Sequence, residues 1–293
     1  MEFQTLVNVL PSAWKIGPCE SMILVGSCFA DEIGQRLRDD QFRVIVNPYG
    51  VMYNPVSIFH TLQKWVKSQA DSYEGEQTEP SFHRFDPPRV AILTLGTNHV
   101  YVLKQTGEIV DNCQKRPAKL FEERELSVDE CVESLRSSVK LLQSISTNIH
   151  IIFTVSPIRY RKYGYHESRL SKATLLLATD KVLGQERNVD YFPSYELLED
   201  ELRDYRFYQP DMIHPSAQAV DYIYQKFAQC YFSGGTFCFL KDWEPIKKAI
   251  AHKPFHPESD EYKQFVDKTQ LKIASLCKKY PIFALSTANN EKK

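Results

Sequence analysis

Ser27, Asp211 and His214 are residue types from which an activated nucleophile can be built. A serine hydroxyl is a poor nucleophile near neutral pH and needs a base beside it, and an imidazole base needs a carboxylate to orient it. In Asp211-Met-Ile-His214 the carboxylate lies close enough in sequence to turn back onto the ring. Ser27 follows an apolar run ending in Gly26 and opens an amphipathic stretch. That context predicts a helix N-terminus, where unpaired N–H groups favour a developing anion. The chemistry that fits is acyl transfer, whose tetrahedral intermediate needs donors aimed at its oxyanion. The amides of Ser27 and Gly50 and the side chain of Asn98 are candidates. Each residue also has a plainer role: Ser27 and Asp211 as helix caps, His214 as a solvated loop residue, Gly50 and Asn98 as turn formers. Convergence on one edge of one sheet favours the chemical reading.

The elements that must position these residues follow from hydrophobic periodicity. Met22 to Val25 reads as a buried strand, and Phe29, Ile33 and Leu37 recur at helical spacing, predicting a helix over Cys28 to Asp39. Arg43 to Val46 is a second strand, closed by the breakers Asn47-Pro-Tyr-Gly50, and Pro55 starts a helix expected to reach about Lys67. Ser68 to Pro88 is polar and punctuated, a long loop, before a third strand from Arg89 to Leu95. Ser127 and Glu130 have capping-box spacing ahead of an apolar stripe from Val128 to Ile145. A fourth strand spans Ile149 to Val155, a helix about Ser168 to Leu183, and a short strand Val189 to Phe192. Pro215 is expected to open a helix carrying Val220, Ile223, Phe227 and Tyr231 on one face.

Apolar strands alternating with helices predict an α/β fold, a doubly wound, mostly parallel sheet flanked by helices in three layers. Ser27, the Asn47–Gly50 turn and Gly96-Thr-Asn98 then all lie beyond strand carboxyl ends, where open α/β sheets bind ligands. Residues 1–233 are expected to form this domain, and 234–293, lysine-rich and periodic, a helical extension packed on it.

The 293 residues are 43% hydrophobic and 25% charged, as in an ordinary globular chain, with no low-complexity stretch. Lys and Arg number 36 against 37 Asp and Glu, so no global field recruits nucleic acid or an anionic membrane. No apolar run reaches the roughly 18 residues of a membrane span, and the first residues show no leader pattern, so a cytoplasmic chain is the expectation. Seven scattered cysteines, without metal spacing, read as reduced thiols and imply no metal or cofactor. Cys28, beside Ser27, is a second conceivable nucleophile, although helix geometry turns it away from its neighbour. Arg159-Tyr160-Arg161, after the fourth strand, interleaves cations with an aromatic ring and is a candidate substrate wall; its plain reading is a solvated loop.

Gly26-Ser27-Cys28-Phe29-Ala30 resembles the pentapeptide that names the GSCFA domain family, which looks like a branch of the SGNH/GDSL esterase superfamily. The resemblance continues through Asn47 to Pro55, Leu95 to Asn98, Thr154 to Pro157, Ser171 to Leu177, Tyr191 to Tyr195 and Asp211 to Ser216, spanning about residues 20 to 232. It implies Ser27 as nucleophile, His214 as general base, Asp211 as its orienter, and Gly50 and Asn98 as oxyanion positions. Two blocks depart from the pattern: Asn98 is followed by His99 where the superfamily often has Asp, and Asn112-Cys113-Gln114 lacks a histidine.

The expected activity is hydrolysis of O-acyl esters, short-chain or acetyl, on a small molecule or glycan. Transfer to another acceptor by the same site, and a non-catalytic module binding glycan or nucleic acid, are the alternatives. The neutral charge balance disfavours nucleic acid, and the oligomeric state is not legible.

Overall fold

The computed structural model describes residues 4–74, 87–111, 113 and 116–283. Most of the Ser68–Pro88 loop, and Asn112 and Gln114, lie outside the described residues.

β1 (Ser21–Gly26) is buried at every position because its two faces serve two cores. Met22 and Leu24 enter one cluster, Ile23 and Val25 the other, so the run shows no polar alternation. α1 (Cys28–Asp39) buries Phe29, Ile33 and Leu37. After β2 (Arg43–Val46), α2 (Pro55–Glu74) runs well past its expected end near Lys67, since polar residues propagate a helix as readily as they form a loop. β3 (Val90–Leu95) leads into a sheet the sequence did not announce: β4 (His99–Leu103), β5 (Ile109–Val110) and β6 (Phe121–Glu125), antiparallel in the order β5-β4-β6. α3 (Val128–Ile145) starts with the anticipated Ser127–Glu130 capping box.

β7 (His150–Val155), α4 (Tyr165–Leu183) and β8 (Val189–Tyr191) complete the alternation. A single turn, α5 (Ser194–Glu196), continues as π-helix through Leu202. α6 (Ala217–Tyr231) begins later than Pro215: its cap is Ser216, whose hydroxyl accepts from Ala219 N at 3.3 Å.

The main sheet is parallel throughout, in the order β2-β1-β3-β7-β8. One core cluster joins its outer face to α1 and α6, the other to α2, α3 and α4, giving the three-layer, doubly wound α/β architecture. Strand order reverses between β1 and β3, so the crevice opens where Ser27 and Gly96 leave those strands.

α7 (Gly234–Ala251) and α8 (Asp260–Lys279) share a third cluster with Cys19, just ahead of β1. Trp243 Nε1 donates to Asp39 O at 2.8 Å, and Thr236 Oγ1 to Ile16 O at 2.6 Å. Several lysines of this basic segment are paired, Lys247 with Asp40 and Lys279 with Asp242 among them. All seven cysteines are free thiols, with Cys19, Cys131 and Cys230 buried. Among the described residues no helix is long and apolar enough to cross a membrane.

Candidate active site

β1 ends at Gly26 with φ +149°, and a Cβ there would stand 2.1 Å from Thr94 O. Glycine therefore permits the close approach of β1 and β3 that seats the next residue. Ser27 N donates to Thr94 O at 3.1 Å and to Thr94 Oγ1 at 2.9 Å. Ser27 Oγ caps α1 by accepting from Phe29 N at 3.3 Å, donates to Ser156 Oγ at 2.9 Å, and lies 3.2 Å from Thr94 Oγ1. The residue is wholly buried. Thr94 and Ser156 escaped the sequence reading. Their signal is modest: each is a hydroxyl at the carboxyl end of a continuous apolar run.

Asp211 and His214 meet as the sequence suggested. Met212 takes a left-handed φ of +59°, which turns the chain so that Asp211 Oδ1 accepts from Ile213 N and His214 N at 2.9 and 3.1 Å. Asp211 Oδ2 lies 2.6 Å from His214 Nδ1. That hydrogen bond, reinforced by the two amides, holds the carboxyl down to about 2. The ionised carboxylate can only accept, so Nδ1 is the donor and Nε2 is the ring nitrogen turned to face a substrate. The side chains of His214 and Asp211 are 36% and 41% exposed, whereas Ser27 is sealed, and no hydrogen bond joins Ser27 to His214.

The two halves are linked through the segment after β7. Ser156 holds the Ser27 hydroxyl. A few residues on, Arg159 N donates to Ile213 O at 3.1 Å and its guanidinium to Met212 O at 3.3 Å. The guanidinium lies over the rings of Tyr165 and Tyr208, at 4.2 and 5.1 Å. Arg159, read from sequence as a substrate contact, thus braces the His214 loop.

The three candidate oxyanion donors are engaged within the protein. Ser27 N is held by Thr94. Gly50 N closes a turn onto Asn47 O at 2.9 Å, with Gly50 at φ +90°. Asn98 Nδ2 donates to Leu126 O at 2.8 Å. Cys28 N, the first amide of α1, enters none of the described hydrogen bonds, and Cys28 Sγ stands 3.6 Å from Tyr53 Oη.

Lys172 lies behind Ser156, 2% exposed, its Nζ donating to Gly96 O and Ser156 O, each at 2.7 Å. Burial pushes the ammonium down to about 7. In sequence it interrupts a stripe of buried α4 residues, Ser168, Ser171, Leu175 and Ala178, and a charge on a core face is the signal that could have found it.

Beside this centre a cavity of about 670 Å³ lies against the antiparallel sheet and the segments that follow β2, β3 and β7, with Tyr53, His99, Tyr101 and Tyr160 in its lining. Tyr160 lies in the wall of this cavity. Arg161 opens a 3₁₀ turn, is exposed, and is not among the lining residues. Among the described residues no group of His, Cys, Asp and Glu is arranged to hold a metal ion.

The model of the GSCFA family matches residues 21–89 and 75–227, and that of the GSCFA domain protein C-terminal domain matches 243–291. No curated protein matches the chain significantly. Among solved structures it is similar to a Clostridium thermocellum family 3 carbohydrate esterase (11% identity, 80% of this chain and 99% of that one, TM-score 0.40). It is also similar to a lipolytic protein of the G-D-S-L family from Veillonella parvula (16%, 71% and 95%, TM-score 0.42). A third is a carbohydrate esterase family 2 enzyme with a carbohydrate-binding domain from Corynascus thermopiles (12%, 75% and 67%, TM-score 0.46).

Proposed function

This chain belongs to the GSCFA family, and from that premise we propose that it is a serine esterase that hydrolyses short-chain or acetyl O-acyl esters through Ser27, His214 and Asp211. The observation that carries this reading is the 2.6 Å bond between Asp211 and His214, on a loop anchored to the segment whose Ser156 holds the Ser27 hydroxyl. In the reaction the Ser27 hydroxyl leaves Ser156 for His214 Nε2 and attacks the ester carbonyl as Nε2 takes its proton. The tetrahedral intermediate collapses to an acyl-serine, and the same proton passes to the departing alcohol oxygen. Water, deprotonated at Nε2, then releases the acid and restores Ser27. Asp211 stabilises the transient imidazolium without being protonated. The amide of Cys28 and the N-terminal end of α1 supply positive potential for the oxyanion.

Complete burial of Ser27 favours one second reading, transfer of the acyl group to an alcohol that excludes water from the site.

Intact-mass analysis after treatment with a fluorophosphonate provides the test. The wild type takes up one adduct, and Ser27→Ala and His214→Ala take up none. Turnover of phenyl acetate falls by about 10³-fold or more in either variant, and the double variant is scarcely worse, because the residues act as a unit. An adduct that survives in Ser27→Ala removes the assignment.

A further inference from the structure

Ser27 and His214 are supported by different strands, and among the described residues no hydrogen bond joins them. Ser27 N is fixed to Thr94, the next-to-last residue of β3. The His214 loop is fixed to Arg159, in the segment that leaves β7: Arg159 N donates to Ile213 O and its guanidinium to Met212 O. The separation of nucleophile and base therefore depends on how β3 and β7 are held where they end.

The sheet's own ladder stops short of that point. Its last bond between these strands runs from Ser156 N to Leu95 O, at 2.8 Å. Gly96 N turns away to Tyr53 O, and Pro157 has no N–H to offer. The carbonyls of Gly96 and Ser156 are thus left without strand partners, a costly state in a buried place. Lys172 Nζ, itself buried, serves both at 2.7 Å. Its remaining side faces the rings of Tyr160 and Tyr195, at 5.3 and 5.8 Å. An apolar residue would fill this core position at less cost in desolvation and rotamer freedom. What the lysine adds is the cross-link.

We propose that Lys172 is a positioning residue for the reaction: it cross-links the ends of β3 and β7 and so sets the reach between the Ser27 hydroxyl and His214 Nε2. The proposal rests on the esterase reading above. Lys172 touches neither substrate nor the reacting atoms and acts through two backbone carbonyls. Misplacing a reacting group by about 1 Å costs on the order of 10²-fold in rate, which is the scale of effect expected here.

The rate constant of fluorophosphonate labelling, followed by intact mass well below each protein's melting temperature, tests this together with kcat and KM for phenyl acetate. Lys172→Met still reaches one adduct, but about 10²-fold more slowly, and kcat falls by a similar factor while KM stays within about twofold. Lys172→Gln, which offers two N–H groups and no charge to the same carbonyls, recovers about tenfold of that loss, and it carries the measurement if Lys172→Met does not fold. Arg159→Ala also slows labelling, and in the double variant the two losses combine to less than their product, because both act on how His214 is placed. A merely structural lysine would lower the melting temperature and the fraction labelled while leaving the rate constant of the folded protein unchanged. That result, a loss carried by KM, a Lys172→Gln protein as slow as Lys172→Met, or losses that multiply in full overturns the proposal. A wild type that takes up no adduct removes the esterase reading and this proposal with it. A labelled wild type matched in rate by Lys172→Met removes the positioning role alone.

Discussion

A lysine taken out of water keeps its charge only where acceptors replace the solvent, and Lys172 has two carbonyls in that role. Those carbonyls belong to the residues just after β3 and β7, next to Thr94 at the end of β3 and at Ser156 itself, which hold Ser27, so Lys172 ties together the floor of the site. Its burial shifts the ammonium from the ordinary lysine value to about 7. The unfolded chain therefore binds this proton more readily between about pH 7 and 10, and stability rises with pH across that window. The stabilisation is complete once both states are neutral, and it is lost as pH falls through about 7. Thermal melts from pH 7 to 10 should show this slope in the wild type and not in Lys172→Met. That variant should also melt lower throughout, since it strands two buried carbonyls. A pH slope common to both proteins would assign it elsewhere. At this scale the sequence was partly legible. Ser27, Asp211 and His214 stand out by type and neighbours, whereas Thr94, Ser156 and Lys172 matter only because three strand ends come together.

Among the elements, β1 and its turn into α1 carry the most constraint. Gly26→Ala would drive a Cβ into the backbone of β3, at Thr94 O, where nothing flexible can give way. The expected cost is about 3 kcal/mol or more, from backbone displacement, with loss of fluorophosphonate labelling because Ser27 is the next residue. Urea denaturation reads the first effect and intact mass the second; a Gly26→Ala protein as stable as wild type would mean that β1 and β3 separate easily. The buried strands and α1 were legible for one reason: a strand covered on both faces is apolar at every position, and a helix over it shows one stripe. The antiparallel sheet was not. β5 is two residues long and β6 reads Phe-Glu-Glu-Arg-Glu, so neither has a pattern of its own, and both exist because β4 offers them a partner. The early end assigned to α2 has the opposite cause: polar residues after Lys67 resemble a loop and propagate a helix equally well.

For the whole molecule the question is whether α7 and α8 stand or fall with the α/β body. Trp243 is 6% exposed, bonds Asp39 O at the end of α1, and meets Phe283 at a tilt, 5.6 Å between ring centroids, within the third core cluster. Leu240 packs against both this cluster and the main one, which makes the apolar interior continuous. Trp243→Ala should cost about 3 to 5 kcal/mol and lower a single calorimetric transition instead of splitting it. Two separate transitions would show that the C-terminal helices fold on their own terms.

Every open sheet has two edges where unpaired amides could recruit a strand from another chain. Here β2 spans four residues and begins with Arg43, while β8 spans three and β5 two. The one longer edge, β6, is exposed along Glu122-Glu123-Arg124-Glu125, so a second copy brought alongside would set carboxylate against carboxylate. The acid-rich strand that closes one side of the cavity therefore also disfavours self-templated β-assembly.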